Sequence, residues 1–476
     1  MAKGCAGSLA FSSAYLTAPL TKNLMNETHM RAARRSLLWR LHFWSALIAS
    51  PFVLVACLTG MLYVFTPQIE SVMHGQLDKV QPQSQARSLD DAVAAAKQVA
   101  PEGWSLHSVI PAHEPEDSVR VAFTAPMPEK SQAGGHGGHA SHGASPGAAQ
   151  AKSPFLRPNF GIPARSVVVY VNPYSAEVLG QLKESERFAT WARKLHSSLQ
   201  QGDGWRWMIE LAASWTMVML VTGVYLWWPR QGQPLLPQAN AKGRVAWRQW
   251  HSFLGVALGL VSFVILTTGL TWSQNAGNQI RWARDATGQT PPRIPAQFKS
   301  TVTEGAKPLT WEQALQAIRR EAPSISWMVM APKGPEGVWR ANQMDKGDPT
   351  KRFDLLLDAY SGQKLYYSGW SDQTAFGKAT AIGIPFHRGE FGVWNQVLLF
   401  VFGAGILFSL VSGWVMFFKR RAAGSSVWPV VLPGAWRSVS PWAWLGGVFM
   451  LVAMPVLAMS AAPVAMIEMV LGYKKS

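Results

Sequence analysis

Cysteine is nearly absent from this chain. Cys5 and Cys57 are the only two in 476 residues, so no disulfide framework or thiolate metal site is available, which argues against iron–sulfur chemistry. Acidic residues are also scarce, 27 Asp and Glu against 44 Lys and Arg. No nucleophile–base pair, phosphate-binding loop or His-Glu zinc motif occurs, so no catalytic side chain is assigned. Residues 1–36 lack the basic lead and apolar core of a signal peptide and read as a disordered cytoplasmic leader. Charge is missing altogether from long stretches. Between Phe43 and Ile69 there is no Asp, Glu, Lys or Arg, and about 20 apolar residues suffice for a helix to cross a bilayer.

Five long apolar runs with no Lys or Arg in their middle occur, at about 43–67, 207–228, 251–272, 393–418 and 440–467. They predict spans over 37–67, 205–228, 247–272, 393–418 and 440–472. The last contains Pro455 and Pro463 and is read as a single kinked helix. With the N-terminus in the cytoplasm, the segments 1–42, 229–250 and 419–440 fall inside. They carry 14 Lys and Arg against one acid, Glu27. The positive-inside rule therefore accounts for most of the net charge of +17. These loops (229–246 and 419–439 between the spans) are too short to form a basic nucleic-acid-binding face, so no nucleic acid is expected. The partner of the spans is the lipid bilayer.

Two long segments lie outside, 68–195 and 273–390, and they share one grammar. Ser88 opens a capped amphipathic helix ended by Pro101, and Leu309 opens another ended by Pro323. Strands are predicted near 105–111 and 118–124. Ser166–Gly180 and Phe353–Leu365 each read as strand, turn, strand, with Asn172-Pro-Tyr-Ser-Ala-Glu matching Asp358-Ala-Tyr-Ser-Gly-Gln. The spans repeat too. His42 precedes Gly60 by 18 residues and His251 precedes Gly269 by 18; His196 precedes Gly223 by 27 and His387 precedes Gly413 by 26. The chain is thus span, outer domain, span, twice over in one orientation, with one span appended. Residues 127–160 interrupt the first outer domain with a low-complexity stretch containing His136, His139 and His142. That spacing suggests a Cu, Ni, Zn or Fe ligand set as readily as a flexible linker.

Trp39-Arg40-Leu41-His42 with its span, the two Tyr-Ser turns, and Thr222-Gly-Val-Tyr-Leu-Trp-Trp-Pro-Arg230 together resemble the PepSY-associated transmembrane family over residues 36–420. Many members of that family are iron-regulated inner-membrane proteins. The resemblance implies a mainly α membrane bundle, four core spans as two parallel repeats plus one C-terminal span, with two small α+β PepSY-like periplasmic domains. For some members it implies two b-type haems and ferric-siderophore reduction. The histidine-rich insert departs from the family pattern, and no reductase domain is appended, so the electron donor stays open between a quinol and a cytoplasmic reductase.

Topology sorts the span-associated histidines into two pairs. His42 and His251 open outward-running helices; His196 and His387 precede inward-running ones. An interfacial histidine is often only an anchor, but four at matched depth point to function. Paired imidazoles from separate helices can supply both axial ligands of a haem iron. Arg40 and Arg248 on the inner side, and Arg193 and Arg388 on the outer, are the expected partners of haem propionates. Gly255 and Gly259 are expected to let a macrocycle approach. Two haem b groups, electron transfer outward and reduction of a ferric siderophore or other ferric chelate form the leading reading. The alternatives are a haem-free membrane protein binding a peptide, protease or metal outside, and haem or copper handling.

Overall fold

The computed structural model describes residues 14–126, 155–156, 161–228, 235–302, 305–344, 346–420 and 429–473. The histidine-rich stretch with His136, His139 and His142 lies outside the described residues. Helix α1 (Ala14–Val64) begins within the expected disordered leader and continues through the first apolar run. After α2 (Thr66–Asp78) and α3 (Leu89–Gln98) come strands β1 (Ser105–Ile110), β2 (Val119–Thr124), β3 (Ser166–Val171) and β4 (Val178–Lys183). Helices α4 (Phe188–Ser198), α5 (Trp207–Trp227), α6 (Gly243–Ala257), α7 (Gly259–Leu270) and α8 (Asn275–Ala286) lead into the second half. There α9 (Trp311–Glu321), β5 (Trp327–Met330), β6 (Val338–Gln343), β7 (Asp354–Asp358), β8 (Lys364–Ser368) and α10 (Ala375–Arg388) repeat the plan. Helices α11 (Val393–Arg420), α12 (Pro441–Ala453) and α13 (Pro455–Tyr473) follow.

Three helical stretches among the described residues, Glu27–Val64, Asp203–Trp227 and Val393–Arg420, are long and apolar enough to cross a membrane unaided. Two further helix pairs meet that test only together. Helices α6 and α7 bend by 56° at Leu258, whose side chain fills the place a Cβ on Gly405 would take. Helices α12 and α13 bend by 116°, where Pro455 removes a backbone donor.

The chain divides into two compact units. One gathers Met1–Leu54, Glu210–Leu266 and Ala404–Ser476; the other gathers Val55–Ile209 and Thr267–Gly403. In the first unit, the C-terminal helix pair departs from the single kinked crossing expected over 440–472. The Arg34 Nε donates to the Ser438 carbonyl at 2.6 Å, and Arg40 pairs with Glu468 at 2.6 Å. Ser438 and Glu468 would be about 45 Å apart on one straight helix, while Arg34 and Arg40 are roughly 9 Å apart along α1. Both ends of the pair therefore meet the same end of α1.

In the second unit, the two expected α+β domains are joined. All eight strands form one antiparallel sheet in the order β4-β3-β2-β1-β5-β6-β7-β8, bridged at its centre by Val109 and Val329. Pairing β1 with β5 covers an edge that each four-stranded half would otherwise expose. Helices α3 and α9 share one core on one sheet face, with Val93, Val121 and Val169 packed in the same cluster as Ile318, Val329 and Leu355. Their N-termini cap each other. Asp90 accepts from the backbone N–H groups of Trp311 and Glu312 at 2.9 and 3.1 Å, and Glu312 accepts from that of Leu89 at 3.0 Å. Each satisfies orphan donors of its partner helix.

The repeated Tyr-Ser turns are structural. Asn172 and Asp358 each accept from the next-but-one backbone N–H at 2.9 Å. Tyr174 and Tyr360 then donate their hydroxyls to the carbonyls of Pro115 and Pro335, at 2.8 and 3.0 Å. Each turn is thereby latched to the hairpin beside it.

Candidate functional site: four seated histidines

The four histidines sit in four copies of one small receptor. His42, on α1, places Nδ1 at 3.1 Å from both the Met219 carbonyl and the Thr222 hydroxyl of α5. His251, on α6, places Nδ1 at 2.9 Å from the Ser409 carbonyl and the Ser412 hydroxyl of α11. In the second unit, His196 on α4 meets the Thr59 hydroxyl of α1 at 2.9 Å, with the Ala56 carbonyl as a further acceptor. His387, near the end of α10, meets the Thr268 hydroxyl of α7 at 3.0 Å.

The tautomer follows from the partners. A carbonyl accepts only, so the ring nitrogen facing it carries the proton. The hydroxyls agree: Thr222, Ser412 and Thr59 donate to the carbonyls of Val218, Ser409 and Val55 at 2.8, 2.9 and 2.7 Å, which leaves their oxygens to accept from histidine. In His42, His251 and His196, with Nδ1 protonated and held, Nε2 keeps its lone pair on the far side of the ring. A metal-ligating imidazole is oriented in this way.

A glycine follows each hydroxyl-bearing residue, and it is what the imidazole packs against. A Cβ at Gly223 would lie 3.2 Å from His42 Cε1, and one at Gly60 would lie 3.4 Å from that of His196. The corresponding separations are 3.4 Å for Gly269 with His387 and 3.7 Å for Gly413 with His251. The pairs Thr59-Gly60, Thr222-Gly223, Thr268-Gly269 and Ser412-Gly413 are thus the seats of the histidines. The sequence displayed them as repeat markers without disclosing that role, because each faces a histidine far away in the chain. Of the glycines assigned to macrocycle approach, Gly259 instead faces Leu220, while Gly255 borders open space.

His42 and His251 come together. Their ring centroids are 6.4 Å apart with planes at 84°. Two Nε2 atoms about 2 Å from one metal, a usual metal–imidazole distance, put the ring centroids roughly 6 Å apart. Among the described residues no group of three or more His, Cys, Asp or Glu gathers as a metal site. The first pair therefore offers two donors, which suits an iron whose other positions are filled by a porphyrin. The residues fit a haem at this place.

The helices bearing the other two histidines are clamped at their N-terminal ends. Glu70, on α2, accepts from the Ala189 backbone N–H at 2.9 Å and pairs with Arg187 at 2.7 Å. In the second half Gln289 does the same neutrally, taking the Thr374 hydroxyl and the Phe376 N–H at the start of α10. Leu199, in the left-handed region at φ 50°, ends α4 just past His196. Gly389 at φ 75° ends α10 just past His387.

Of the four expected propionate partners, Arg248 and Arg193 are exposed. Arg388 donates to the Tyr63 hydroxyl at 3.2 Å and pairs with Glu390 at 2.8 Å. Arg40 is buried and engaged by Glu468 and by the Pro429 carbonyl. His107, on β1, bonds its neighbour Ser108 at 3.0 Å.

A family model described as the PepSY-associated TM region matches residues 39–420. No curated protein matches the chain. The matched span includes all four seated histidines and both halves of the repeat.

Proposed function

The chain belongs to the PepSY-associated TM region family, and from that premise we propose that it is a di-haem b electron-transfer protein of the bacterial inner membrane. It reduces a ferric chelate, such as a ferric siderophore, on the periplasmic side, with its N-terminus in the cytoplasm. The observation that carries this reading is the His42–His251 pair, with rings 6.4 Å apart and each Nδ1 tied to a neighbouring helix. His42 and His251 would hold one haem through Nε2, and His196 and His387 the other. When bound, the haems supply one-electron chemistry across a bilayer that otherwise has no redox group along the chain.

The protein's own residues do the rest. Thr222, Ser412, Thr59 and Thr268 hold the plane of each imidazole, and carbonyls beside His42, His251 and His196 fix their tautomer. The following glycines let each ring sit against a helix backbone. Apolar spans exclude water from the first pair. The eight-stranded sheet offers a docking surface outside. No acid–base step is needed, because reduction of ferric to ferrous iron within an oxygen-rich chelate takes one electron and weakens the hold on the metal. The electron enters from a quinol or a cytoplasmic reductase. This division of labour, chemistry from a cofactor and placement from the protein, agrees with the absence of catalytic motifs.

The test uses vesicles of known orientation. After chemical reduction, a ferric chelate added on the periplasmic side should reoxidise both haems. Replacing His196 or His387 should leave the first haem reducible yet stranded. Unchanged reoxidation in those variants, or reoxidation of wild type from the cytoplasmic side alone, would refute the reading.

A further inference from the structure

Arg40 and Trp44 are four residues apart and share one face of α1, while His42 lies on the opposite face. That far face is occupied by the C-terminal helix pair. Glu468, on α13, receives the Arg40 guanidinium at 2.6 and 3.1 Å through Nε and Nη2, and the Trp44 indole N–H bonds the same carboxylate. The third arm of the guanidinium donates to the Pro429 carbonyl at 2.7 Å. The Arg40 side chain is 7% exposed and that of Glu468 31% exposed. Glu468 lies beyond the family-matched residues 39–420, so the acid that completes this pair is contributed by the appended segment.

The other half of the repeat is built differently. Aligned on the histidines, Arg40 corresponds to Gln249. Gln249 clasps the loop after α5 through neutral bonds, accepting from the Gln238 backbone N–H at 3.0 Å and donating to its side chain at 3.3 Å. One face of the first histidine pair is therefore backed by an ion pair and the other by an amide pair. The charges at Arg40 and Glu468 lie within roughly one helix diameter, about 10 Å, of His42. At that distance, about one Debye length, salt screens a partly buried pair much less than an exposed one.

We propose that Glu468 sets the electrostatics of the first histidine pair by neutralising Arg40, and so tunes the redox midpoint of the group held there. The inference rests on the haem reading above. Its sign is fixed by charge. Oxidised iron carries one more positive charge than reduced iron, so an uncompensated cation nearby favours the reduced form, and an uncompensated anion the oxidised form.

The experiment is a spectroscopic redox titration of the full-length purified protein, resolving the two haems. Glu468→Gln should shift the first midpoint upward and Arg40→Gln should shift it downward. The double variant should return close to wild type, and the second midpoint should not move in any of the three. Shifts in the same direction for both single variants would mean that packing, not charge, is at work, and would overturn the proposal. So would unchanged midpoints with full haem content. Should Glu468→Gln fail to retain the first haem, Glu468→Asp decides: retention with the charge kept supports the proposal, and loss in both overturns it. A wild-type protein without a Soret band would instead remove the underlying haem reading.

Discussion

Replacing Gly223 with alanine puts a methyl group 3.2 Å from His42 Cε1 and 3.6 Å from its Nδ1. Carbon atoms prefer about 3.5–4.0 Å, so ring or helix must yield by roughly 0.3–0.8 Å. Ligand constellations tolerate about 0.5 Å of misplacement, which makes this a perturbation at the limit. Overpacking of this kind costs about 1–3 kcal/mol. If the cost falls on the ligated state, affinity for the first haem drops roughly 5- to 150-fold, at about 1.4 kcal/mol per tenfold. Alanine at Gly413 is the control. Its methyl would lie 3.7 Å from His251 Cε1, which is ordinary contact, and the same haem should be retained as in wild type. The assay is transfer of haem to an acceptor apoprotein, followed in the Soret band, with haem per protein measured beforehand. Equal retention in Gly223→Ala and wild type would refute the claim that Gly223 seats its ligand, and greater loss in Gly413→Ala than in Gly223→Ala would refute the ranking by distance.

Removing a receptor hydroxyl should act more gently. Thr222→Val leaves the Met219 carbonyl in place, so about 0.5–1.5 kcal/mol is lost and haem affinity should fall only a few-fold; the same transfer assay measures it. Glu70→Gln breaks a largely buried pair with Arg187, both side chains being under 15% exposed. Arg187 keeps Glu184 at 3.1 Å, so the loss is that of a charged hydrogen bond, about 1.5–3 kcal/mol for the second unit in chemical denaturation, with a larger effect on the second haem than on the first. Asp358 is held below the usual carboxylate range: burial opposes this, but N–H donors from Ser361, Thr301 and Tyr360 prevail. Its contribution is present above about pH 4 and is lost as pH falls through the depressed value. Asp358→Asn should therefore flatten the acid limb of the second unit's stability curve, and an unchanged limb would contradict the assignment. Finally, because both ends of the α12–α13 pair meet one end of α1, a reporter fused after residue 476 should lie on the same membrane side as one fused before residue 1. Opposite sides would restore the straight crossing.

Much of this architecture was legible in the sequence because its signals are local. Apolar runs with no Lys or Arg in their middle marked the three straight spans and the two bent pairs. Ser88 announced α3, whose cap is present as expected, and the stretch from Leu309 announced α9, which Thr310 caps. The histidine-to-glycine intervals revealed the duplication, and the helix directions sorted His42 with His251. What stayed hidden depends on contacts between distant residues. The bridge from Val109 to Val329 that fuses two domains into one sheet has no local signature. Strands β5 and β6 passed unnoticed beside the stronger turn at Asp358. The seats at Thr59, Thr222, Thr268 and Ser412 needed the receptor and the histidine on one page. Arg40 read as a propionate partner because Glu468, more than 400 residues away, gave no sign that it would capture the guanidinium. The 116° turn at Pro455 could not be told from a modest kink, since proline breaks a helix without specifying the angle.

The central claim is that His42 and His251 ligate one iron. The most direct measurement is haem quantitation with absorbance spectra on purified wild type, His42→Ala and His251→Ala from haem-replete cells. The account predicts two haems per wild-type chain, each with the spectrum of bis-histidine ligation, and loss of the same single haem in either variant. A colourless wild type, or full haem content in both variants, would contradict it.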